Sequence, residues 1–241
     1  MHAVAGAIEQ GGASVYEQAR VRQIRRSGAA WLVETDRACI EARQLVLATG
    51  GYGFDLYRRG QRAVLPISTY VMVTEALGPE LERCVPGRGA IYDSRFAFDY
   101  YRPLPDGRLL WGGRIAAFDR APESIARVLK RDLGRVFPAL AGVGVEYAWS
   151  GQMSYARHQM PVLTEFEPGL WLALGFGGHG LAPTWVAGRV LAEALTGDPE
   201  RLSVFRNWSA AWAGGLAGRA AAQLVYWYKQ GRDALRQHGR R

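Results

Sequence analysis

The stretch LWLALGFGGHGLAPTWVAGRVLAEALTG, residues 170–197, decides how this chain is interpreted. An apolar run comes first, a glycine-rich centre at 175–180 follows, and a segment with helical spacing closes the stretch. The centre matches GxGxxG, the pattern that joins a strand to a helix in nucleotide-binding βαβ units. The stretch therefore predicts a strand, a glycine turn and a helix.

A dinucleotide-binding unit also needs a second strand ending in an acidic residue that binds the ribose hydroxyls. The sequence after the helix, at 197–215, contains no apolar strand ending in Asp or Glu, so we reject a Rossmann fingerprint here. Two interpretations remain. The glycines let the backbone approach a flat ligand at the positive end of the helix, such as a reduced flavin ring, or they form a tight turn with His179 packed beside it.

The alternation of short runs along the chain predicts an α+β or α/β fold with a mixed or antiparallel sheet. The fully apolar piece 45–48 ends in a glycine turn, which is typical of a buried parallel strand. Turn residues at 105–107 and 168–169 predict two hairpins, over 96–115 and 160–176. The other predicted elements are helices at 1–10, 122–140, 186–197 and 217–236 and strands at 14–24, 29–35, 38–51, 67–77 and 143–151.

The composition limits the function classes. The 241 residues carry a net charge of +8, but the excess is arginine scattered among acids, with Lys130 and Lys229 the only lysines, so we expect no nucleic-acid partner. Cys39 and Cys84 lack CxxC spacing, which suits a reducing cytoplasm and no metal site. We expect no membrane span, because no apolar run approaches ~20 residues, and no signal peptide at 1–13.

Four segments, taken in their order, resemble the D-amino-acid oxidase/glycine oxidase superfamily of FAD-dependent amine oxidoreductases, nearest its γ-glutamylputrescine oxidoreductase-like branch. They are ARQLVLATGGY at 42–52, YYRPLPDGRLLWGGR at 100–114, GFGGHGLAPT at 175–184 and RLSVFRNWSAAWAGGLAG at 201–218. The resemblance covers essentially the whole chain. It implies a partial Rossmann-like FAD-binding domain of GR2 type at 1–62 and 156–241, with an inserted substrate domain, mostly antiparallel sheet plus a helix, at 63–155.

The resemblance also implies which residues meet FAD. The strand around Arg20 and Val21 corresponds to the one whose backbone meets the adenine. The turn Ala48-Thr49-Gly50 corresponds to the segment that lies over the cofactor. The loop whose amides face the flavin pyrimidine edge corresponds to Gly175, Phe176, Gly177, Gly178, His179 and Gly180.

In this family a hydride leaves the carbon next to an amine nitrogen for the flavin, the imine hydrolyses, and oxygen or a separate electron acceptor reoxidises the cofactor. Because the cofactor carries the chemistry, no acid or base is assigned as catalytic. The substrate-site candidates are His179, Tyr70, Tyr101, Arg102, Arg114 and Gln152. The alternative is sheet packing for the two tyrosines and surface placement for the two arginines.

The sequence departs from the family at the substrate anchors. Several relatives place an arginine where this chain has Gln152 and Met153, and the sarcosine-oxidase-like branch places a lysine where it has Ala182. Losing both cations argues against a simple α-amino acid held by its carboxylate. We therefore expect an amine, a polyamine derivative or a γ-glutamyl amine as the substrate.

A second departure concerns the start of the chain. The family begins with a strand, a GxGxxG and a ribose-binding acid, whereas this chain starts within what corresponds to a later helix. We expect a truncated product, a late start codon or a fragment, with complementation by a separate chain as a further option. Such a chain would bind FAD weakly or not at all, be inactive alone and leave the strand at 45–48 at an exposed edge. The alternatives to the enzyme are a non-catalytic remnant or partner-binding module and a basic nucleic-acid-binding protein.

Overall fold

A computed structural model describes residues 2–53, 55–96 and 98–238. The predictions that include Met1 and Ala97 therefore extend beyond the described residues. The helices are α1 (His2–Gln10), α2 (Arg58–Gln61), α3 (Pro79–Cys84), α4 (Pro122–Val136), α5 (Leu181–Leu195) and α6 (Gly215–His238), with 3-10 turns at Pro138–Leu140 and Arg201–Phe205. The strands are β1 (Val21–Ser27), β2 (Ala30–Thr35), β3 (Cys39–Ala42), β4 (Leu45–Leu47), β5 (Val64–Thr74), β6 (Ile91–Tyr92), β7 (Asp99–Pro103), β8 (Leu109–Ala116), β9 (Val145–Ala156), β10 (Val162–Glu167) and β11 (Leu170–Leu174).

The strands form three sheets. The first is antiparallel with the order β1-β2-β3, and the second has the order β10-β11-β4, with β4 parallel to β11. The third, with five strands in the order β6-β7-β8-β5-β9, is antiparallel throughout. This combination of helices with mixed and antiparallel sheets confirms the predicted fold class. The domain boundaries stay a prediction.

The strand that the apolar piece 45–48 predicts is β4, and its parallel pairing with β11 confirms that expectation. Its burial is only partial. Leu47 is buried, whereas Val46 is 37% exposed, because β4 lies at the edge of its sheet and no described strand pairs with its other side.

Both predicted hairpins form around the expected turns. Between β7 and β8 the amide of Leu104 donates to the carbonyl of Arg108 at 2.8 Å, and Gly107 takes a φ of 80°. Between β10 and β11, Gly169 takes a φ of 74°. Positive φ at these two glycines is the backbone geometry that turn residues of this type supply.

Several predicted strand boundaries were wrong. The predicted strand at 14–24 forms only from Val21 onward, and the run 38–51 divides at a bend into β3 and β4, which belong to different sheets. The first hairpin strand begins at Asp99 rather than at 96, and β9 continues beyond the predicted end at 151. In each case the pairing partner, rather than the apolar pattern, sets where the strand begins or ends.

Helix α4 packs on one face of the five-stranded sheet and forms the main core. Its apolar residues Ile125, Leu129 and Leu133 are fully buried, in one core cluster with Met72 of β5 and Trp111 of β8. Full burial of one such side chain is worth about 1.5–3 kcal/mol. This face of the sheet is therefore closed by packing.

One ion pair joins α4 to the end of β8. The guanidinium of Arg114 donates from Nε and Nη2 to the two carboxylate oxygens of Asp132, at 2.6 and 2.7 Å, and the Asp132 side chain is only 6% exposed. Arg114 takes a φ of 60°, an unusual conformation for a residue with a side chain. The bidentate pair thus holds a strained position of β8 against the helix.

Replacement of Asp132 by alanine should lower the free energy of unfolding by roughly 3 kcal/mol, because Arg114 would keep a largely buried, unpaired charge. The pair Arg22–Asp36 has the same bidentate geometry, at 2.7 and 2.8 Å, but is exposed and joins β1 to the turn after β2. Asp36→Ala is the matched control and should leave the unfolding free energy nearly unchanged. Urea denaturation followed by circular dichroism measures both, and equal losses for the two variants would contradict this assignment.

Candidate functional site

Ser154 of β9 ties the five-stranded sheet to the glycine-rich loop at 175–180. Its side-chain oxygen accepts a hydrogen bond from the amide of Gly175 at 3.0 Å, and its carbonyl accepts one from the amide of Gly177 at 2.9 Å. The Ser154 side chain is buried. Two anchors from a single residue therefore fix where the loop passes the sheet.

The backbone of the loop requires glycine at several positions. Gly175, Gly177 and Gly178 take φ values of 80°, 57° and 83°. A Cβ atom added at Gly177 would lie 2.9 Å from the Tyr155 ring, and one at Gly178 would lie 2.6 Å from the Met153 sulfur. The glycines thus serve both the turn and close contact with β9.

Helix α5 begins directly after the loop, at Leu181, five residues before the start that the apolar pattern predicted, and Pro183 lies in its first turn, where no amide donor is needed. The hydroxyl of Thr184 donates back to the carbonyl of Gly180 at 2.6 Å. Among the described residues, no acceptor receives the amides of Gly178, Gly180, Leu181 and Ala182. These donors and the positive end of a 15-residue helix create a place that favours an electron-rich ligand group.

A cavity of about 450 Å³ opens beside the loop, within the size range of small-molecule sites. Its walls come from β4 and the turn after it, from β9, from β11, from the loop and from α5. The lining residues are Val46, Ala48, Gly50, Gln152, Met153, Ser154, Ala173, Phe176, Gly177, Gly178, Gly180, Thr184, Ala187, Gly188 and Leu191. Among the described residues, no charged side chain belongs to this lining.

Comparison with known proteins identifies the family. The model of the DAO family, described as FAD dependent oxidoreductase, matches residues 1–194, which is most of the chain. The chain belongs to this family. It is 33% identical over 205 residues to gamma-glutamylputrescine oxidoreductase of Escherichia coli, a match that covers 84% of this chain and 48% of the relative. It is 31% identical over 222 residues to the probable oxidoreductase OrdL of Rhizobium meliloti, covering 90% and 51%.

Solved structures show the same fold. Glycine oxidase from Geobacillus kaustophilus superposes with a TM-score of 0.64 at 23% identity, over 80% of this chain and 52% of that one. L-proline dehydrogenase from P. horikoshii superposes with a TM-score of 0.70 at 17% identity, over 87% and 57%. The chain thus spans about half the length of the relatives that it matches.

Most of the residues that the family resemblance predicts to contact the cofactor lie close together in the structure. Ala48, Gly50, Phe176, Gly177, Gly178 and Gly180 all line the cavity, and so does the substrate candidate Gln152. Gly175 lies directly before them and is held by Ser154.

Besides Gly175, three of the predicted cofactor residues lie outside the lining. The hydroxyl of Thr49 accepts a hydrogen bond from the Gln61 side chain. The His179 side chain is exposed, and the His179 amide closes a turn on the carbonyl of Phe176 at 3.1 Å, so the residue is not packed as one interpretation of the sequence required. Val21 lies on β1, a strand of another sheet, and packs against a separate core cluster.

Two of the substrate candidates lie on the face of the sheet that α4 covers. Tyr70 is buried in the α4 core and donates to the carbonyl of Phe118 at 3.0 Å. Tyr101 stacks on Trp111 with ring centroids 4.6 Å apart. Because Tyr70 pairs with Ser150, three positions from Met153, strand alternation places the Tyr70 and Met153 side chains on opposite faces. The tyrosines therefore fit the packing alternative.

The arginine candidates are also away from the cavity lining. Arg102 is exposed on β7, and Arg114 is paired with Asp132 on the α4 side. Among the six candidates, only Gln152 belongs to the lining.

Sequence reasoning missed Ser154 and Tyr155. Burial raises the pKa of the Tyr155 hydroxyl above its ordinary value, so this side chain stays a neutral donor around neutral pH. A single serine or tyrosine within an alternating strand carries no motif, and only the pairing of β9 with β5 shows which face each one takes. Among the described residues, no group of three His, Cys, Asp or Glu could hold a metal ion.

Gly177→Ala should destabilise the protein by about 1–3 kcal/mol, because alanine resists a positive φ and its methyl group would meet the Tyr155 ring. Gly180→Ala is the matched control in the same loop, since its Cβ would meet nothing within 4 Å and its φ is −71°. Urea unfolding should show the loss for the first variant alone. An equal loss of unfolding free energy in Gly180→Ala would show that the loop tolerates no substitution at all, which would contradict this explanation.

Proposed function

We propose that this chain provides the ring-binding and substrate side of an FAD-dependent oxidoreductase that oxidises the C–N bond of an amine. The observation that carries the proposal is a glycine-lined cavity whose described lining residues carry no charge and include Gly178 and Gly180, whose amides no described residue accepts. A flat, electron-rich ring fits such a place, and the family match supplies its chemical identity. The proposed domain organisation is 1–62 and 156–241 for the cofactor side and 63–155 for the substrate side.

The residues present fit a flavin ring at this place. The backbones of Gly177 and Gly178 line the cavity without side chains, and the amides of Gly178, Gly180 and Leu181 are donors that no described residue uses. Bound FAD would supply the acceptor for a hydride from the carbon next to the amine nitrogen. The positive end of α5 would stabilise negative charge on the nearby ring edge.

The substrate side excludes a simple carboxylate anchor. Gln152 and Met153 lie on β9 at the cavity wall, and no arginine or lysine of the described part of the chain joins them in the lining. A carboxylate bound there would lack a charge partner, which disfavours α-amino acids. We therefore infer an amine substrate, a polyamine or a γ-glutamyl amine, in agreement with the name of the Escherichia coli relative.

The two side chains of β9 that contact the loop have a second effect. The Met153 thioether and the Tyr155 ring fill the space against Gly177 and Gly178, which keeps water from that side of the loop. Since the lining contains no titratable acid or base, orientation and exclusion of water are the contributions that these residues make. A cytoplasmic location and a separate electron acceptor complete the proposal.

Binding of the flavin ring is the first test. We expect riboflavin and FAD to bind weakly, because the sequence carries the ring-facing loop but no phosphate-binding GxGxxG followed by a ribose acid. Gly188→Leu places a large side chain in the cavity wall and should weaken binding at least roughly tenfold. Ala192→Leu, on an exposed position of the same helix outside the lining, should leave binding unchanged. Quenching of flavin fluorescence measures both affinities.

Reduction of the bound flavin tests the reaction. With flavin added to near saturation under anaerobic conditions, putrescine or γ-glutamylputrescine should bleach the flavin absorbance, and glycine should do so at least about tenfold more slowly. Equal rates with glycine would contradict the amine preference. A protein that binds flavin but is bleached by none of these compounds would instead favour the non-catalytic module.

A further inference from the structure

Helix α6 is amphipathic in the reverse of the usual sense. Several of its polar side chains face the protein and accept hydrogen bonds from backbone amides. The Gln223 side chain accepts a hydrogen bond from the amide of Ala117 at 2.8 Å, and the Tyr226 hydroxyl accepts one from the amide of Ile115 at 3.3 Å. The Asp233 carboxylate accepts one from the amide of Phe96 at 2.9 Å. A soluble helix normally turns its polar side to water and its apolar side to the core.

The opposite side of α6 is apolar and exposed. At 3.6 residues per turn, nine small or apolar residues fall within an arc of about 140°, and the exposed Val225 lies just beyond it. We name this set the outer stripe: Leu216, Ala217, Ala220, Ala221, Leu224, Trp227, Tyr228, Gly231 and Leu235. Its large members are between 55% and 78% exposed. A contiguous apolar surface of this kind marks an interaction site.

The charges beside the outer stripe have one sign. Arg232 and Arg236 are exposed near the carboxyl end of the helix, and neither forms an ion pair with a described residue. Asp233 is the only acidic residue in the sequence of α6, and it faces inward to the Phe96 amide. The exposed side of the helix therefore presents apolar and aromatic groups next to uncompensated positive charge.

We propose that the outer stripe binds the surface of a membrane that contains anionic lipids. Apolar side chains on one face, Trp227 and Tyr228 among them, and flanking arginines are the features of helices that lie in the membrane interface. Charge complementarity favours this occupant over a second copy, whose stripe would bring the same positive charges. Among the residues that the structure describes, no helix is long and apolar enough to cross a membrane, so α6 lies on the surface rather than spanning it.

The position of α6 in the chain agrees with a separate role. The family model matches residues 1–194, and α6 begins at Gly215. The hydrogen bonds to Ala117 and Ile115 fix the helix to the end of β8, with its outer stripe directed away from the sheet. Surface binding therefore does not depend on flavin or on amine oxidation, and its test is independent of the test of the proposed function.

Vesicle flotation tests the proposal on the 241-residue protein without flavin. The protein should float with vesicles of equal parts phosphatidylglycerol and phosphatidylcholine, more weakly at high salt, and much less with phosphatidylcholine alone. The double variant Leu224→Gln, Leu235→Gln should lower the partition coefficient at least roughly tenfold, because it removes two apolar anchors. Its matched control, Ile8→Gln with Val204→Gln, changes exposed apolar residues elsewhere and should have no effect.

A second pair of variants separates local charge from net charge. Arg232→Gln with Arg236→Gln should lower partitioning about 25-fold, since each arginine near an anionic surface contributes roughly a fivefold change. Arg37→Gln with Arg127→Gln removes the same net charge from exposed positions elsewhere and should leave partitioning within about twofold. Equal losses of partitioning in both double variants would show that binding depends on the net charge of +8 and not on the arginines beside the outer stripe, and would overturn the proposal.

Two further outcomes would also overturn it. One is the absence of flotation with anionic vesicles. The other is a concentration-dependent dimer in sedimentation without vesicles that the Leu224→Gln, Leu235→Gln variant abolishes, which would assign the outer stripe to a second copy. Quenching of tryptophan fluorescence by brominated lipids should be weaker in Trp227→Phe than in the wild type if this helix face meets the lipid.

Discussion

The two hydrogen bonds that Ser154 accepts are the constraint on which the candidate site depends. They hold the glycine-rich loop against β9 and so bring the carboxyl end of β11, the start of α5 and the wall of the five-stranded sheet to one place. Positive φ at Gly175, Gly177 and Gly178 is tolerated because this contact specifies the path of the loop. Glycine at 177 and 178 lets the loop lie directly against Tyr155 and Met153 of β9, and the loop backbone then forms one wall of the cavity.

Local sequence predicted the parts of the fold that local chemistry determines. The order of strand, glycine turn and helix at 170–197 and the hairpin turns at 105–107 and 168–169 all formed as expected, because each depends on a few adjacent residues. The apolar piece 45–48 was recognised within the run 38–51, but nothing in the local sequence showed that β3 and β4 belong to different sheets.

Only the glycine-rich part of the candidate site could be predicted from the sequence. Family resemblance found Ala48, Gly50 and the loop, but it did not show which face of the large sheet each side chain takes. That choice depends on strand register, and the pairing of β5 with β8 shifts between Thr69 and Tyr70, close to the strained Arg114. Tyr70 therefore packs under α4, although its residue type suits a substrate site equally well.

The free side of β4 has a consequence for how the protein behaves at high concentration. Backbone amides and carbonyls on that side lack a described strand partner, so they present a template on which an extended segment of another molecule could align. Because β4 has only three residues, such an alignment would involve few backbone hydrogen bonds and would be weak. Concentrated preparations should accordingly favour reversible association over the growth of ordered fibrils.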